Sequence, residues 1–378
     1  MNKEVINSDY VIVGAGFFGS VLAERIATIL NKTVTVLEQR NHIGGNCYSE
    51  IHQETGIEFH KYGTHIFHTS NKEVWDYITQ FTSFNAYYHQ VLTVFKDKVY
   101  QMPINLETIN SFYQVNLKPF EVDDFLFKEK AKEHYETPNN FEEQAINFVG
   151  RPLYEAFLKG YTKKQWGKDP KEIPASILNR LPFRKNYNES YFFDTWQGIP
   201  KDGYTSIFDK LLSNKNIEVK LNTDFFEVRK NISPKSVLIY SGPIDRLFDY
   251  KFGDLEWRTL RFEEEIKLVE DFQGTSVMNY ADEQFPYTRI HEPRHLHPER
   301  AYSSNKTLII KEYSKKDYRN DPFYPIGGEK NREIFNRYQT EAKHQNIIIG
   351  GRLADYKYYD MHHTIERALE LFKTKILK

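Results

Sequence analysis

The chain has 378 residues, 40% apolar and 27% charged, enough for two or three domains of a soluble globular protein. Its net charge of −1 excludes any general attraction to nucleic acid or an anionic membrane, so an anionic ligand has to be met by local arginines. A lone cysteine, Cys47, excludes an intramolecular disulfide, and no apolar run reaches the ~18 residues of a membrane-spanning helix.

Taken in chain order, the first segment, MNKEVINSDY, lacks the apolar stretch of a signal peptide, and a cytoplasmic protein without membrane insertion is expected. Tyr10–Val13 is a short strand run. The loop Gly14–Gly19 follows, and Phe17, Phe18, Val21, Leu22, Ile26, Ile29 and Leu30 then recur at helical spacing. Thr33–Leu37 is a second strand run, completing a βαβ unit with parallel strands. Residues 105–187 read as mostly helical, with one apolar pattern running over Phe141–Phe157. Ile217–Val228 and roughly 255–313 read as stranded. Ile347–Ile349 reads as a buried strand, and Met361, Ile365, Ala368, Leu369 and Phe372 form a helical stripe.

The predicted fold class is α/β: a split Rossmann-like FAD-binding domain of the glutathione-reductase-like kind, with an inserted helical domain and an inserted antiparallel β-sheet domain. The expected boundaries are 1–84, 200–248 and 326–378 for the FAD-binding domain, 105–187 for the helical substrate or lid domain, and 85–104, 188–199 and 249–325 for the sheet domain.

Gly14-Ala15-Gly16-Phe17-Phe18-Gly19 reads G-x-G-x-x-G between a predicted strand and a predicted helix. Gly14 permits the tight turn, Gly16 lets backbone approach a pyrophosphate, and Gly19 packs helix on strand. Glu38, 19 residues past Gly19, is placed to accept ribose hydroxyls. Arg40 and Gly44-Gly45-Asn46 resemble the continuation of this loop in FAD proteins, and Gly350-Gly351-Arg352 resembles their closing motif. A second G-x-G-x-x-G, which NAD(P)H would need, does not occur. The helix after Asp360 is expected to aim its positive end at the flavin.

Further strings are more specific. Arg151–Gly167 (RPLYEAFLKGYTKKQWG), Leu178-Asn-Arg180-Leu-Pro, Tyr240–Arg246, Trp257-Arg258-Thr-Leu, Phe285–Glu292, Phe323-Tyr324-Pro-Ile and Tyr356–Met361 run in order along the chain. Together they resemble the bacterial UDP-galactopyranose mutase family. The resemblance implies that Arg180 and Arg289 grip a nucleotide-sugar diphosphate, with hydroxyls from Tyr191, Tyr324 and Tyr358 on the same phosphates. It further implies Phe157 and Tyr161 at the uracil, Trp166 over the site, and Thr162, Asn85, Asn279 and Arg258 as further substrate contacts. Gly14, Gly16, Phe18, Gly19, Glu38, Gly45, Asn46, His65, Ile66, Asp224, Phe225, Arg352, Tyr359, Asp360, Met361 and Thr364 are the implied FAD contacts, His65 also modulating the flavin. The loop Gly167–Ser176 is expected to act as a lid that carries Arg180.

The implied activity interconverts UDP-galactopyranose and UDP-galactofuranose through a covalent adduct between the anomeric carbon and N5 of reduced FAD. This is an isomerase reaction without net redox change, serving cell-wall or surface polysaccharide synthesis. A homodimer is implied as well; nucleic acid and metal have no place in the reading. The alternatives are an FAD-dependent oxidoreductase of the amine-oxidase kind, which would leave the two arginines among tyrosines unexplained, and a nucleotide-sugar sensor that kept the fold.

Overall fold

The strands Val237–Tyr240, Tyr10–Val13 and Val34–Leu37 lie side by side and parallel in the computed structural model, which describes residues 5–180, 182–302, 305–316, 319 and 321–377, leaving the side chains of Asn179 and Arg180 undescribed. Ile217–Lys220 extends this sheet at one edge and Ile348–Ile349 at the other, giving five strands. Alternate residues serve opposite faces. Ile12, Val36 and Ile239 pack with the helices Phe17–Ile29 and Met361–Leu371, while Val11, Leu37 and Tyr240 pack with Tyr338 and Ala342 of the helix Glu329–His344. Burial on both faces explains the unbroken apolar reading of the central strands. Ile348–Ile349 is only half buried, because an edge strand of two paired residues has one flank open.

Two local readings are corrected. The stretch read as stranded over Ile217–Val228 stops at Lys220; Asp224 then accepts a hydrogen bond from Phe226 N at 3.0 Å and caps the helical turn Phe225–Val228. The pattern over Phe141–Phe157 is two helices, because Gly150 at φ 84° ends Phe141–Val149 and Pro152 falls in the first turn of the next. That second run opens into wide π-type turns at Tyr154–Lys159 before continuing to Trp166.

The second large sheet has seven strands, in the order Tyr324–Pro325, Trp257–Lys267, Thr307–Lys315, Arg289–His291, Val277–Tyr280, Val91–Phe95 and Lys98–Met102. Its pairings are antiparallel except at one junction, where Val277–Tyr280 runs parallel to Val91–Phe95. Beside it the helices between 106 and 166 enclose a separate core of Leu106, Ile109, Phe141, Ile146, Tyr154 and Phe157. Among the described residues no helix is long and apolar enough to cross a membrane.

Candidate active site

A cleft of about 220 Å³ opens at the carboxyl ends of the parallel strands, the usual ligand position in an open α/β sheet. Gly14 turns the chain at φ 101°, and a Cβ there would stand 2.3 Å from Ser241 Oγ. At Gly19 a Cβ would lie 2.0 Å from the carbonyl oxygen of Gly14, so strand and helix meet backbone to backbone. The first turn of the helix Phe17–Ile29 carries no acidic side chain, which leaves its positive end free for phosphate. Glu38 is 6% exposed; one carboxylate oxygen accepts from Ala15 N and the other from Arg40 N, each at 2.9 Å. Held this way, it still has lone pairs for ribose hydroxyls.

Further along the wall, Asn46 Oδ1 accepts from Arg40 Nη1 at 3.0 Å, and Asp224 pairs with Arg246 at 2.7 Å. Phe18, Gly45, Phe225, His65, Arg352, Met361 and Thr364 complete the expected cofactor contacts found there. Ile66, Tyr359 and Asp360 are not part of that wall. Ile66 packs with Tyr87, Ile199 and Leu296, and Tyr359 acts through its carbonyl, which accepts from Arg352 Nε and Nη2 at 3.1 and 2.5 Å. The backbone approach at Gly14, the carboxylate and the unobstructed helix end fit a dinucleotide of the flavin type.

His65 sits at the inner end. Its Nδ1 lies 2.6 Å from Gly63 O, which assigns the proton to Nδ1 and leaves Nε2 as an acceptor. Burial, and next the Arg352 charge, push its pKa down to about 4, so the ring is neutral. Arg352 also lies near the faces of Tyr324 and Tyr358, 5.8 and 5.5 Å from their centroids, and these two rings stack on each other at 5.6 Å. Arg352 thus joins the cofactor cleft to the expected substrate side.

On that side Arg289 is surrounded by Glu312, Tyr161, Tyr324 and Tyr191. Its Nε stands 3.4 Å from Glu312 Oε1, its Nη2 meets the Tyr161 hydroxyl, and its Nε has no hydrogen-bond partner. Burial alone would raise the Glu312 carboxyl; Arg289 and the hydrogen bond from His291 at 3.0 Å outweigh it and hold the pKa at about 2. Asn279, beside Arg289 in the ladder, has its Oδ1 buried without a partner.

Arg258 is 3% exposed, donates to Gln165 O at 3.1 Å and to Ser314 Oγ at 2.6 Å, and is paired by no carboxylate among the described residues. Strand register sets it beside Tyr324. Burial lowers its pKa, so an anion there would be welcome.

Other expected contacts are placed differently. Phe157 lies in the helical core, edge-on to Phe95, Tyr100 and Phe112. Thr162 is buried one position from Tyr161, and Trp166 packs half buried against the helical core, capped by Gly167. The Arg180 side chain lies outside the described residues. Asn85 is engaged by the protein itself: its Oδ1 accepts from Tyr87 N and Ile199 N, and its amide donates to Leu296 O and Glu299. The whole amide is consumed inside the protein. His89 stands near Arg289 instead, its ring against Tyr191 and Phe192 with centroids 5.5 and 5.6 Å away.

Residues 156–358 match the family model for UDP-galactopyranose mutase, and residues 12–81 match that for an NAD(P)-binding Rossmann-like domain. A dTDP-fucopyranose mutase of Escherichia coli is 42% identical over 95% of this chain and 96% of its own. A probable UDP-galactopyranose mutase of Klebsiella pneumoniae is 41% identical over 96% of this chain and 94% of its own.

The chain belongs to the UDP-galactopyranose mutase family.

This is a family of flavin-dependent isomerases, in agreement with the cleft. A UDP-galactopyranose mutase of Mycoplasma pneumoniae is 34% identical over 96% of this chain and 94% of its own. The fold is shared with a solved reduced UDP-galactopyranose mutase (TM-score 0.73, 14% identity, 98% of this chain and 94% of that one). It is also shared with a putative protoporphyrinogen oxidase from Exiguobacterium (TM-score 0.64, 12% identity, 99% of each chain).

Glu312 and His89 are site residues that the mutase resemblance did not carry. Glu312 had a signal: it follows Leu308 and Ile310 at strand parity, so a charged residue occupies the buried face. His89 had none, since Tyr191, Phe192 and Arg289, which place it at the site, come from segments far away in sequence.

Proposed function

We propose that the protein interconverts UDP-galactopyranose and UDP-galactofuranose with FAD in its reduced form. The observation that carries this reading is Arg258, a buried guanidinium paired by no carboxylate among the described residues, set beside the tyrosine and arginine cluster next to the dinucleotide cleft. Reduced flavin supplies the nucleophile that lets the anomeric carbon part from its diphosphate with no net oxidation.

The chain's own residues bind and stabilise charge. Arg289 and Arg180 take the diphosphate, whose negative charge grows as it leaves, so their contact is strongest in the transition state. Tyr191, Tyr324 and Tyr358 donate hydroxyls to it, and Arg258 adds a second buried positive charge. Tyr161, with Phe157 behind it, meets the base; Thr162, Trp166 and Asn279 border the sugar nucleotide. Glu312 holds Arg289 in place before substrate arrives. Neutral His65 offers Nε2 as an acceptor at the cofactor. We further assign the protein to the cytoplasm as a homodimer that supplies galactofuranose for a surface polysaccharide.

A second reading is favoured by the 42% identical dTDP-fucopyranose mutase. Its substrate differs at the base, at the ribose and at C6 of the sugar, while the ring contraction is the same chemistry. The test is to supply each nucleotide sugar to anaerobically reduced protein, with no electron acceptor, and separate pyranose from furanose products. Furanose from UDP-galactopyranose is expected, and none with the oxidised protein. Conversion of dTDP-fucopyranose alone would replace the substrate; conversion of neither would overturn the activity.

A further inference from the structure

Three side chains converge where the helix Met361–Leu371 begins, one of them Asp360, expected at the cofactor from the sequence but absent from the cofactor wall. His68, Asp360 and His362 each bring one ligand atom within 4.8 Å of the others. His68 is held in a fixed orientation, while His362 and Asp360 each keep a polar atom without its ordinary partner among the described residues.

His68 is fixed in position. Its Nδ1 lies 2.7 Å from Asp194 Oδ2, and its ring stacks on Phe192 with centroids 3.7 Å apart. The carboxylate accepts a hydrogen bond from Nδ1–H, which leaves the lone pair on Nε2, the arrangement by which a carboxylate orients a metal-binding histidine. Asp194 is itself steadied by Ser70 Oγ at 3.2 Å. His362 meets His68 edge-on at 4.7 Å, and its Nδ1 is buried with no hydrogen-bond partner among the described residues. Asp360 occupies the N-cap position, where an aspartate ordinarily accepts a backbone N–H of the first turn. It makes no such bond; the nearest cation to its carboxylate is His363 Nδ1 at 3.5 Å.

We propose that His68, Asp360 and His362 form a binding site for one divalent transition-metal ion of the zinc type. Two imidazoles and one carboxylate suit zinc and its neighbours rather than magnesium or calcium, which prefer all-oxygen shells. Metal bonds of ~2.0–2.1 Å require ligand atoms about 3.3 Å apart in a tetrahedron, so side-chain rotations that draw them together by about 1.5 Å close the site. The positive end of the helix opposes a cation, and the Asp360 charge offsets it.

The test uses the intact flavoprotein after chelator treatment. Cobalt(II) serves as the optical probe, read at wavelengths beyond the flavin bands, and zinc as its competitor. One cobalt ion per chain, displaced by zinc, is expected. The ligand variants His68→Gln and His362→Ala should each weaken binding at least about tenfold, and Asp194→Asn by about 10–100-fold through loss of orientation. Circular dichroism and flavin content should match the parent protein in at least one of these variants, which separates ligand loss from misfolding. Absence of stoichiometric binding, or equal binding by a folded double variant of His68 and His362, would overturn the site.

Discussion

Arg289 is balanced by Glu312, whereas Arg258 among the described residues meets a carbonyl and a hydroxyl but no carboxylate, and the two should respond differently to substitution. Arg289→Ala removes a donor whose contact tightens as the diphosphate departs. A loss of about 3–4 kcal/mol, on the order of 10²–10³ in turnover, is expected with flavin content unchanged, because Arg289 is not on the cofactor wall. Arg289→Lys should recover part of this, since a point charge lacks the fork. Flavin content and reduced-state turnover measured together decide the matter; a flavin-free Arg289→Ala protein would move this arginine to the cofactor. Arg289 and Glu38 could be singled out from the sequence because their strings are local. Asn85 could not be judged there: what consumes its amide is Leu296 and Glu299, more than 200 positions away.

At the scale of elements, the glycine turn makes the sharpest demand. Gly19→Ala would put a methyl group 2.0 Å from a carbonyl oxygen of the preceding turn, and neither backbone can yield without parting strand from helix. The variant is expected to purify with little or no flavin, while Glu38→Ala should bind flavin weakly and recover it at excess. Reconstitution followed by visible absorbance checks both; full flavin occupancy in Gly19→Ala would show that the contact relaxes. The βαβ unit was legible because strand, turn and helix are contiguous and each carries its own period. The seven-stranded sheet was legible only as strand content. Its order depends on pairs such as Asn279 with Thr93, which no local pattern encodes, and its single parallel junction arises from such a distant pairing. The end of the strand at Lys220 was missed because Phe225 and Phe226 continue the apolar run, while the cap is a single aspartate.

Considered as a whole, the molecule keeps several titratable groups out of water near the site. Burial, and next the charge of Arg289, push His89 down to about 3; burial and then Arg352 push His65 to about 4; burial and then His65 push His60 well below its ordinary value. A histidine with a depressed folded pKa takes up its proton on unfolding. Its stabilising contribution is therefore complete above the unfolded value of 6.5 and is lost as pH falls toward the folded one. Each group should contribute a slope of about 1.4 kcal/mol per pH unit in that window. Glu312 adds a second loss below its unfolded value of 4.5, complete only near its folded value of about 2. Urea unfolding between about pH 7 and about pH 5 should show stability falling steeply, with a shallower slope in His89→Gln. A flat profile over that interval would mean these rings are hydrated rather than buried.

The cofactor wall joins Gly14 to Thr364, which stand 350 positions apart (364 minus 14). A ribosome adding ~5–20 residues per second needs roughly 20–70 s to travel from one to the other. Throughout that interval the glycine turn exists without the chain that closes over it, and its strand lacks the neighbour at Val237–Tyr240 for most of the time. Flavin is therefore expected to find its full wall only after Thr364 has been made. A chain truncated ahead of Thr364 is expected to purify colourless, which visible absorbance checks.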